Sequence, residues 1–210
     1  MVSMVLKYTK YSGTKHGAHE KVLELVGNNK KVLEIGCATG YLSSKMKEHG
    51  CSVVGIEIEN EAAEVARKAG IEVIGGDIED MEKLPMGKAS FDVIVLADVL
   101  EHMKEPDITL KKLSGFLKPE GYIVVSLPNI GYWTMRLKHL FGKWDYTETG
   151  IMDSGHLRFF TLKTARKLLE NSGFKVLKED YTPWKPAIYF ITKIWPSLLA
   201  YQFILKVGKA

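Results

Sequence analysis

The stretch VLEIGCATG, residues 32–40, runs from an apolar segment into two glycines, Gly36 and Gly40. Glycine allows a tight turn and lets a ligand approach the backbone where a Cβ would otherwise stand. A helix predicted to begin at residue 41 would point its free N–H groups at that ligand. The pattern therefore predicts a turn that holds a nucleotide-like ligand, with an ordinary strand-to-helix turn as the alternative.

The spacing of the glycines bears on which nucleotide the turn would hold. The dinucleotide fingerprint is G-x-G-x-x-G, and its middle glycine lets the backbone approach the pyrophosphate. Here Ala38 stands between Gly36 and Gly40. The pattern is therefore less suited to a nicotinamide dinucleotide, which remains the alternative ligand.

Acidic side chains follow the next two predicted strands. Glu57 lies 21 positions beyond Gly36, where a carboxylate can accept hydrogen bonds from both ribose hydroxyls. Asp77 follows the third strand and could accept a hydrogen bond from an exocyclic amine such as that of adenine. A solvated acid at the end of a strand is the alternative for Glu57, and a cap on the next turn is the alternative for Asp77.

Three polar residues, Asp98, Glu101 and His102, follow the apolar run FDVIVLA at 91–97. Polar groups directly after so apolar a strand favour a role at the ligand edge of the sheet. The alternative is that Asp98 caps a turn while the other two side chains point to water. Polar groups at four strand ends together favour the ligand-binding interpretation.

Strands that alternate with helices must position these residues. Short apolar runs bounded by glycine and polar residues predict strands, and segments with helical periodicity predict helices. The predicted strands are 30–36, 51–57, 71–77, 91–98, 121–128, 174–181 and 198–207, and the predicted helices are 18–27, 41–50, 60–70, 107–117 and 162–173. This order predicts an α/β fold with a mainly parallel sheet, whose ligands bind beyond the carboxyl ends of the strands.

The composition limits the class of protein. The chain has 210 residues, 46% of them hydrophobic and 26% charged, which predicts one globular domain over residues 1–210. A net charge of +4 without a dense basic patch gives no reason to expect nucleic acid as a partner. The two cysteines lie inside predicted elements, and no signal peptide is recognisable, so a reducing, cytoplasmic location is expected.

Residues 187–207 are apolar enough to raise the question of a membrane span. Lys193, Pro196 and Gln202 interrupt the run, and Pro196 breaks it near its middle. We therefore expect a helical turn followed by a strand. This segment also allows contact with a membrane surface.

The strand-end motifs resemble a known family. VLEIGCATG, Glu57, GDIED and FDVIVLADVLEH are similar to motifs I to IV of the class I S-adenosylmethionine-dependent methyltransferases. The stretch DSGHLRFFT, after SLPNIGYW, resembles a small-molecule branch that often accompanies polysaccharide synthesis and that includes MetW-type and ubiquinone O-methyltransferase-like proteins. The resemblance implies a Rossmann-like, seven-stranded, mostly parallel sheet with helices on both faces. The last strand, 198–207, would run antiparallel beside the fifth, and a cap would be inserted at 129–160.

The resemblance also implies S-adenosyl-L-methionine as cofactor and a set of residues that bind it. This set is Glu34, Gly36, Cys37, Ala38, Gly40, Glu57, Ile58, Asp77, Ile78, Asp98, Val99 and His102. Residues 36–40 would cradle the amino-acid end of the cofactor, with Glu34 supporting the turn. Ala38 departs from the glycine that many members of the family have there.

The remaining members of the set follow the later strands. By resemblance, Glu57 would hold the ribose hydroxyls, and Asp77 would meet the adenine amine with Ile78 against the base. Residues 98–99 would pass close to the methionine moiety, and His102 would lie at the edge of the pocket. No metal is expected.

The acceptor side is expected in the insertion at 129–160, which is too long and too aromatic for an idle loop. His156 is the candidate general base, with Asp153 orienting it, because removal of a hydroxyl proton needs a base and His is the commonest one. A purely structural role for His156 is the alternative. The N-terminal segment 8–20, with Tyr11 and His16, is expected to form a lid. Candidate anion-binding residues are Arg136, Lys138, His139 and Arg158.

Together these inferences predict methyl transfer from S-adenosylmethionine to oxygen, in preference to nitrogen, of a small molecule such as a sugar or glycan precursor. Two other functions stay open at this point. One is a cofactor-binding partner protein without turnover, and the other is a nicotinamide-dependent oxidoreductase.

Overall fold

In the computed structural model, which describes residues 16–81 and 84–210, a seven-stranded sheet forms the centre of the protein. Its strands are β1 (Lys31–Ile35), β2 (Ser52–Glu57), β3 (Glu72–Gly75), β4 (Phe91–Ala97), β5 (Leu117–Pro128), β6 (Phe174–Pro183) and β7 (Ala200–Lys209). They lie in the order β3-β2-β1-β4-β5-β7-β6. Successive strands are added on one side of β1 as far as β3 and on its other side from β4 onward. The strand order therefore reverses between β1 and β4, which is the position where open α/β sheets bind their ligands.

The pairing of the strands confirms the predicted mixed sheet. The first five strands pair in parallel, whereas β7 runs antiparallel to both β5 and β6. Val124 of β5 faces Lys206 of β7, and Asp180 of β6 faces Ile204 of β7. The last strand therefore lies beside the fifth, as predicted, and it begins two residues later than expected.

Helices cover the sheet and connect its strands. They are α1 (Ala18–Val26), α2 (Tyr41–Glu48), α3 (Asn60–Lys68), α4 (Pro106–Ser114), α5 (Trp133–Leu140), α6 (Leu162–Asn171), α7 (Tyr189–Ile194) and α8 (Pro196–Leu199), with 3₁₀ turns at Leu100–His102 and Pro186–Ile188. Local chemistry sets several ends. Thr161 caps α6 by accepting from the Thr164 N–H, and Pro106 opens α4, where its missing donor costs nothing.

The first strand is buried on both faces, as its continuous apolar sequence predicts. Leu33 packs with β4 and β5 residues on the side of α4 and α6, whereas its neighbour Val32 packs with Val22 and Met46 from α1 and α2. Successive strand residues point to opposite faces, so one strand serves two cores. Burial of each such side chain contributes about 1.5–3 kcal/mol to stability.

The insertion between β5 and α6 is an ordered part of the fold. It contains α5 and a small apolar cluster of its own that includes Tyr132, Met135, Ile151 and Met152. A backbone bridge between Asn129 and Phe160 closes its two ends. The predicted cap is therefore packed against the sheet by its own side chains.

The apolar C-terminal segment consists of α7, α8 and β7. This arrangement agrees with the predicted helical turn followed by a strand. Among the residues that the structure describes, none of the helices combines the length and the apolar character needed to cross a membrane.

Candidate active site

The turns after β1 and β4 lie next to each other, at the point where the strand order of the sheet reverses. Ile35 pairs with Leu96, so the residues that follow these two strands lie side by side. Gly36 has φ +68°, and a Cβ built on it would lie 2.8 Å from the Val99 Cγ2 atom. Only glycine therefore fits this position without displacing Val99.

Glu57 fixes the glycine turn from the end of β2. Its Oε2 atom accepts a hydrogen bond from the Ala38 N–H at 2.7 Å, and its Oε1 atom accepts from the Glu59 N–H at 2.9 Å. Ala38 is a non-glycine residue with φ +47°, a strained conformation that this bond helps to hold. The structure thus brings Glu57 and the turn together, and it adds a positioning role for the carboxylate to the predicted binding of the ribose.

Glu34 and Cys37 lie beneath the same turn. The Glu34 carboxyl is buried and accepts from the Ser43 hydroxyl at the start of α2. Burial raises the pKa of Glu34 to about 8, although the Ser43 bond opposes the shift. The Cys37 sulfur packs against β2, where a Cβ on Gly55 would lie 2.5 Å from it, and burial raises the pKa of the Cys37 thiol. Both side chains therefore support the turn from below.

A cavity of about 140 Å³ opens beside the turn. Its lining is mostly apolar and includes Ile35, Gly36, Ile56, Ile58, Asp77, Ile78, Val99, His102 and Met103. Asp77 uses Oδ1 to accept from the Glu79 N–H at 2.8 Å, which is the turn-capping role considered as its alternative, while its side chain still lines the cavity. This smaller cavity suits a flat apolar ring that carries a polar edge.

A larger cavity, of about 250 Å³, lies on the other side of the β4 turn. Asp98 lines it, whereas the next residue, Val99, lines the smaller cavity. The Asp98 backbone is left-handed, with φ +55°. Its Oδ1 atom accepts from the Ser126 hydroxyl at 2.9 Å and from the Gln202 amide at 2.8 Å, and burial raises its pKa. The rest of the lining is Gly17, Ala18, His19, Thr182, Pro183, Tyr201 and Gln202.

Glu101, His102 and His156 form a cluster next to the smaller cavity. Their nearest ligand atoms all lie within 4.8 Å of one another, and the two imidazole rings are 4.8 Å apart. The His102 Nδ1 atom lies 2.9 Å from the Gly155 carbonyl oxygen, and the His156 Nδ1 atom lies 3.1 Å from that of Ile151. A carbonyl can only accept, so both Nδ1 atoms carry protons and both Nε2 atoms keep a free lone pair in the neutral rings.

Glu101 is the unusual member of this cluster. It is fully buried, and neither carboxylate oxygen has a hydrogen-bond partner. Burial raises its pKa well above the ordinary value, and the nearby Asp98 raises it further. Burial also lowers the pKa of His156. Two imidazoles and one carboxylate are a common ligand set for a divalent cation, so the cluster could hold a metal, which sequence reasoning does not predict.

The other predictions for the acceptor side have mixed outcomes. The Ile151 carbonyl orients the His156 ring, whereas the Asp153 Oδ1 atom accepts from the Gly155 N–H at 2.8 Å and stabilises the turn. Arg158 donates to the carbonyls of Met103 and Lys104 and so ties the insertion to the end of β4. These contacts account for Arg158 as a structural residue, and the orienting role of Asp153 stays a prediction.

The predicted lid lies mostly outside the described part of the chain. Tyr11 falls among the residues that the structure does not describe. His16 is described, and its ring stacks on Tyr189 with the ring centres 4.1 Å apart.

Comparison with known proteins identifies the family. The methyltransferase-domain family matches residues 13–179, most of the chain. The chain belongs to this family. Its cofactor is S-adenosylmethionine, and the nicotinamide alternative loses its support.

The individual relatives of this methyltransferase have low sequence identity to it. A ubiquinone biosynthesis O-methyltransferase of Idiomarina loihiensis is 34% identical over 123 residues, which cover 54% of this chain and 50% of the relative. The chain thus spans about half the length of the curated relatives it matches. Two solved S-adenosylmethionine-dependent methyltransferases share its fold. One, from Thermotoga maritima, has a TM-score of 0.67 at 20% identity and covers 93% of this chain and 89% of its own. The other, from Archaeoglobus fulgidus, has a TM-score of 0.66 at 20% identity with coverages of 91% and 90%.

Proposed function

We propose that this protein transfers the methyl group of S-adenosylmethionine to a hydroxyl oxygen of a small molecule, with nitrogen as the second choice of acceptor atom. The observation that carries the proposal is the cluster of Glu101, His102 and His156 beside the smaller cavity. When bound, the cofactor supplies an electrophilic methyl group on a sulfonium with a good leaving group. A hydroxyl acceptor then needs a group that takes its proton, and the cluster offers such groups.

The residues at the sheet edge fit the cofactor. Gly36 leaves the backbone open where a Cβ would collide with Val99, and the smaller cavity has apolar walls with Asp77 among them. We assign the adenosyl part to this cavity, the ribose to Glu57, and the methionine part to the turn at 98–99. Once it holds the Ala38 and Glu59 amides, the Glu57 carboxylate still has lone pairs for ribose hydroxyls.

The acceptor would occupy the larger cavity, with its reacting hydroxyl at the Asp98 end. The Asp98 carboxylate interacts there with both His19, which lines that cavity, and His156 of the cluster. The polar lining groups of the cavity come from His19, Thr182, Tyr201 and Gln202, with Asp98 at the end nearest the cofactor turn. Hydroxyls, an imidazole, an amide and a carboxyl suit an acceptor rich in hydroxyl groups, because each can donate or accept. This lining and the family resemblance support a sugar or glycan precursor as the acceptor class.

The cluster offers two ways to remove the acceptor proton. In the first, His156 takes the proton on Nε2, the nitrogen left free by the bond from Nδ1 to the Ile151 carbonyl. In the second, Glu101, His102 and His156 hold a divalent cation. A bound cation of this kind lowers the pKa of a coordinated hydroxyl. The two unpartnered, buried oxygens of Glu101 favour the second way, because a cation would satisfy them.

The test is an acceptor screen that starts with sugar nucleotides and measures S-adenosylhomocysteine release. We expect His156→Asn to lower turnover about 100-fold or more while S-adenosylmethionine affinity stays unchanged. His49→Asn, at an exposed histidine directly after α2, is the matched control and should keep full turnover. Cofactor binding without turnover on any acceptor would contradict the proposal and favour a cofactor-binding partner protein.

Removal of metal ions with a chelator distinguishes proton removal by His156 from proton removal assisted by a cation. If the cluster holds a cation, protein stripped with EDTA should gain thermal stability on addition of Zn²⁺, Mn²⁺ or Mg²⁺, and Glu101→Gln should abolish the gain. This readout does not depend on knowing the acceptor. Full turnover after EDTA treatment, with no thermal shift by any of these ions, would exclude the cation and leave His156 as the base.

A further inference from the structure

Helix α7 exposes its apolar side chains and buries Tyr189 and Thr192. Phe190 is 78% exposed and Ile194 is 70% exposed, while Tyr189 and Thr192 on the opposite face are buried. Three neighbouring apolar side chains are also exposed. We call the whole set the apolar platform, which consists of Trp184, Phe190, Ile191, Ile194 and Trp195. A cluster of large, exposed apolar side chains on a well-packed element indicates a binding surface.

The platform is firmly attached to the sheet. The Tyr189 hydroxyl donates to Asp180 at 2.8 Å, and the Lys21 ammonium lies 2.9 Å from the same carboxylate. That ammonium also lies 4.1 Å from the centre of the Tyr189 ring. Buried polar contacts therefore fix the inner face of α7, and the outward position of its apolar side chains is part of the folded structure.

The chain segment that carries the platform contains only positive charges. Residues 181–210 contain no Asp or Glu, and Lys185 and Lys193 stand among the apolar side chains. Residues 129–144 also lack acids and carry Arg136, Lys138 and Lys143. This second segment includes α5, and it exposes Leu140 at the end of that helix and Phe141 directly after it.

The two basic segments are neighbours. The Arg136 side chain of α5 donates to the Ser197 carbonyl of α8 at 3.1 Å, and the Asn129 amide donates to the same oxygen. The apolar and basic side chains of both segments thus belong to one region of the protein.

We propose that the apolar platform docks on the surface of an anionic lipid bilayer. Exposed Trp and Phe side chains beside lysines are the composition of surfaces that insert into the headgroup region, with the ammonium groups held at the lipid phosphates. A symmetric contact between two copies would instead bring Lys185 and Lys193 of both copies together, which is repulsive. Charge complementarity therefore selects anionic lipid over a second copy of this chain.

Docking in this way would bring the larger cavity to the membrane. Thr182 and Pro183, which line that cavity, directly precede the platform, and Tyr201 and Gln202 of the same lining follow α8. An acceptor carried by a membrane lipid could then reach the cavity from the bilayer. This last consequence rests on the proposed function, whereas the docking itself does not.

The test is co-sedimentation of the 210-residue protein with vesicles of phosphatidylcholine, with and without phosphatidylglycerol. We expect binding at least tenfold tighter to the anionic vesicles, and a decrease in this preference as salt is added. Phe190→Ser/Ile194→Ser should weaken binding at least tenfold, and Lys185→Glu/Lys193→Glu should remove the preference for anionic lipid. Val65→Ser/Ile108→Ser, at exposed apolar positions on α3 and α4, is the matched control and should bind as the parent protein does.

Three results would overturn the proposal. One is equal binding of the platform variant and the control variant to anionic vesicles, and another is no binding to either vesicle. The third is a dimer in light scattering that the platform variant loses, which would assign the surface to a second copy. Thermal unfolding of each variant shows whether it is folded, and the vesicle assay needs neither cofactor nor acceptor, so its outcome is independent of the proposed reaction.

Discussion

Substitution of Gly36 by alanine tests whether the glycine turn and the β4 turn form one site. The new Cβ would lie 2.8 Å from the Val99 Cγ2 atom, and the residue has φ +68°. The left-handed backbone costs about 1–2 kcal/mol for a residue with a Cβ, and overpacking against Val99 adds about 1–3 kcal/mol. Gly36→Ala should therefore lose roughly 2–5 kcal/mol of unfolding free energy.

The same substitution should weaken cofactor binding. Val99 lines the smaller cavity, so a displaced Val99 side chain reduces the space for the cofactor. We expect S-adenosylmethionine affinity, measured by calorimetry, to fall at least about tenfold, equivalent to about 1.4 kcal/mol. Gly36→Ala/Val99→Ala should recover most of the lost affinity, because the second substitution removes the colliding methyl group.

Gly142→Ala provides the matched control. Gly142 has a similar φ of +71°, but a Cβ there would meet no atom within 4 Å. This variant should lose only the backbone cost of about 1–2 kcal/mol in urea unfolding and should bind the cofactor normally. Equal losses of stability and unchanged affinity in Gly36→Ala and Gly142→Ala would refute the close contact between the two turns.

Two further substitutions test the interior. Glu34 has a folded-state pKa of about 8, above its unfolded value of 4.5, so its protonated form stabilises the fold below pH 4.5. This contribution is lost progressively as the pH rises from 4.5 to 8. Glu34→Gln should therefore gain about 2 kcal/mol relative to the parent protein between pH 6 and pH 8 in urea unfolding, and parallel pH profiles would contradict this. Lys21→Met should lose about 3–5 kcal/mol of unfolding free energy, because it leaves the Asp180 carboxylate without its buried ammonium partner. Lys21→Met/Asp180→Asn should recover most of that loss, and a double variant as unstable as Lys21→Met would contradict the role of the pair.

The parts of the site that were predictable from sequence depend on local features. The turn at 36–40 follows a strand whose residues after Lys31 are apolar except for Glu34, and its glycines adopt the positive φ angles that their spacing suggests. Glu57 and Asp77 follow strands whose ends meet at one edge because parallel strands share a direction. The sheet and the cofactor edge therefore follow from the order of elements.

The remaining contacts depend on how distant segments pack. His156 meets Glu101 only because Arg158 and the backbone of residues 157–158 tie the insertion to the β4 turn. Gln202 reaches Asp98 across 104 positions of sequence through the pairing of β7 with β5. No periodicity or spacing in the sequence encodes either meeting, so the Glu101 cluster and the partner of Asp98 could not be predicted.

The most direct test of the central claim is calorimetry of S-adenosylmethionine and S-adenosylhomocysteine with the parent protein, Glu57→Ala and Glu59→Ala. The account predicts micromolar binding that Glu57→Ala largely removes, because the carboxylate holds the glycine turn and faces the ribose. Glu59→Ala, at the exposed neighbouring acid, should bind as the parent protein does. Absence of binding by the parent protein, or full affinity in Glu57→Ala, would contradict the account.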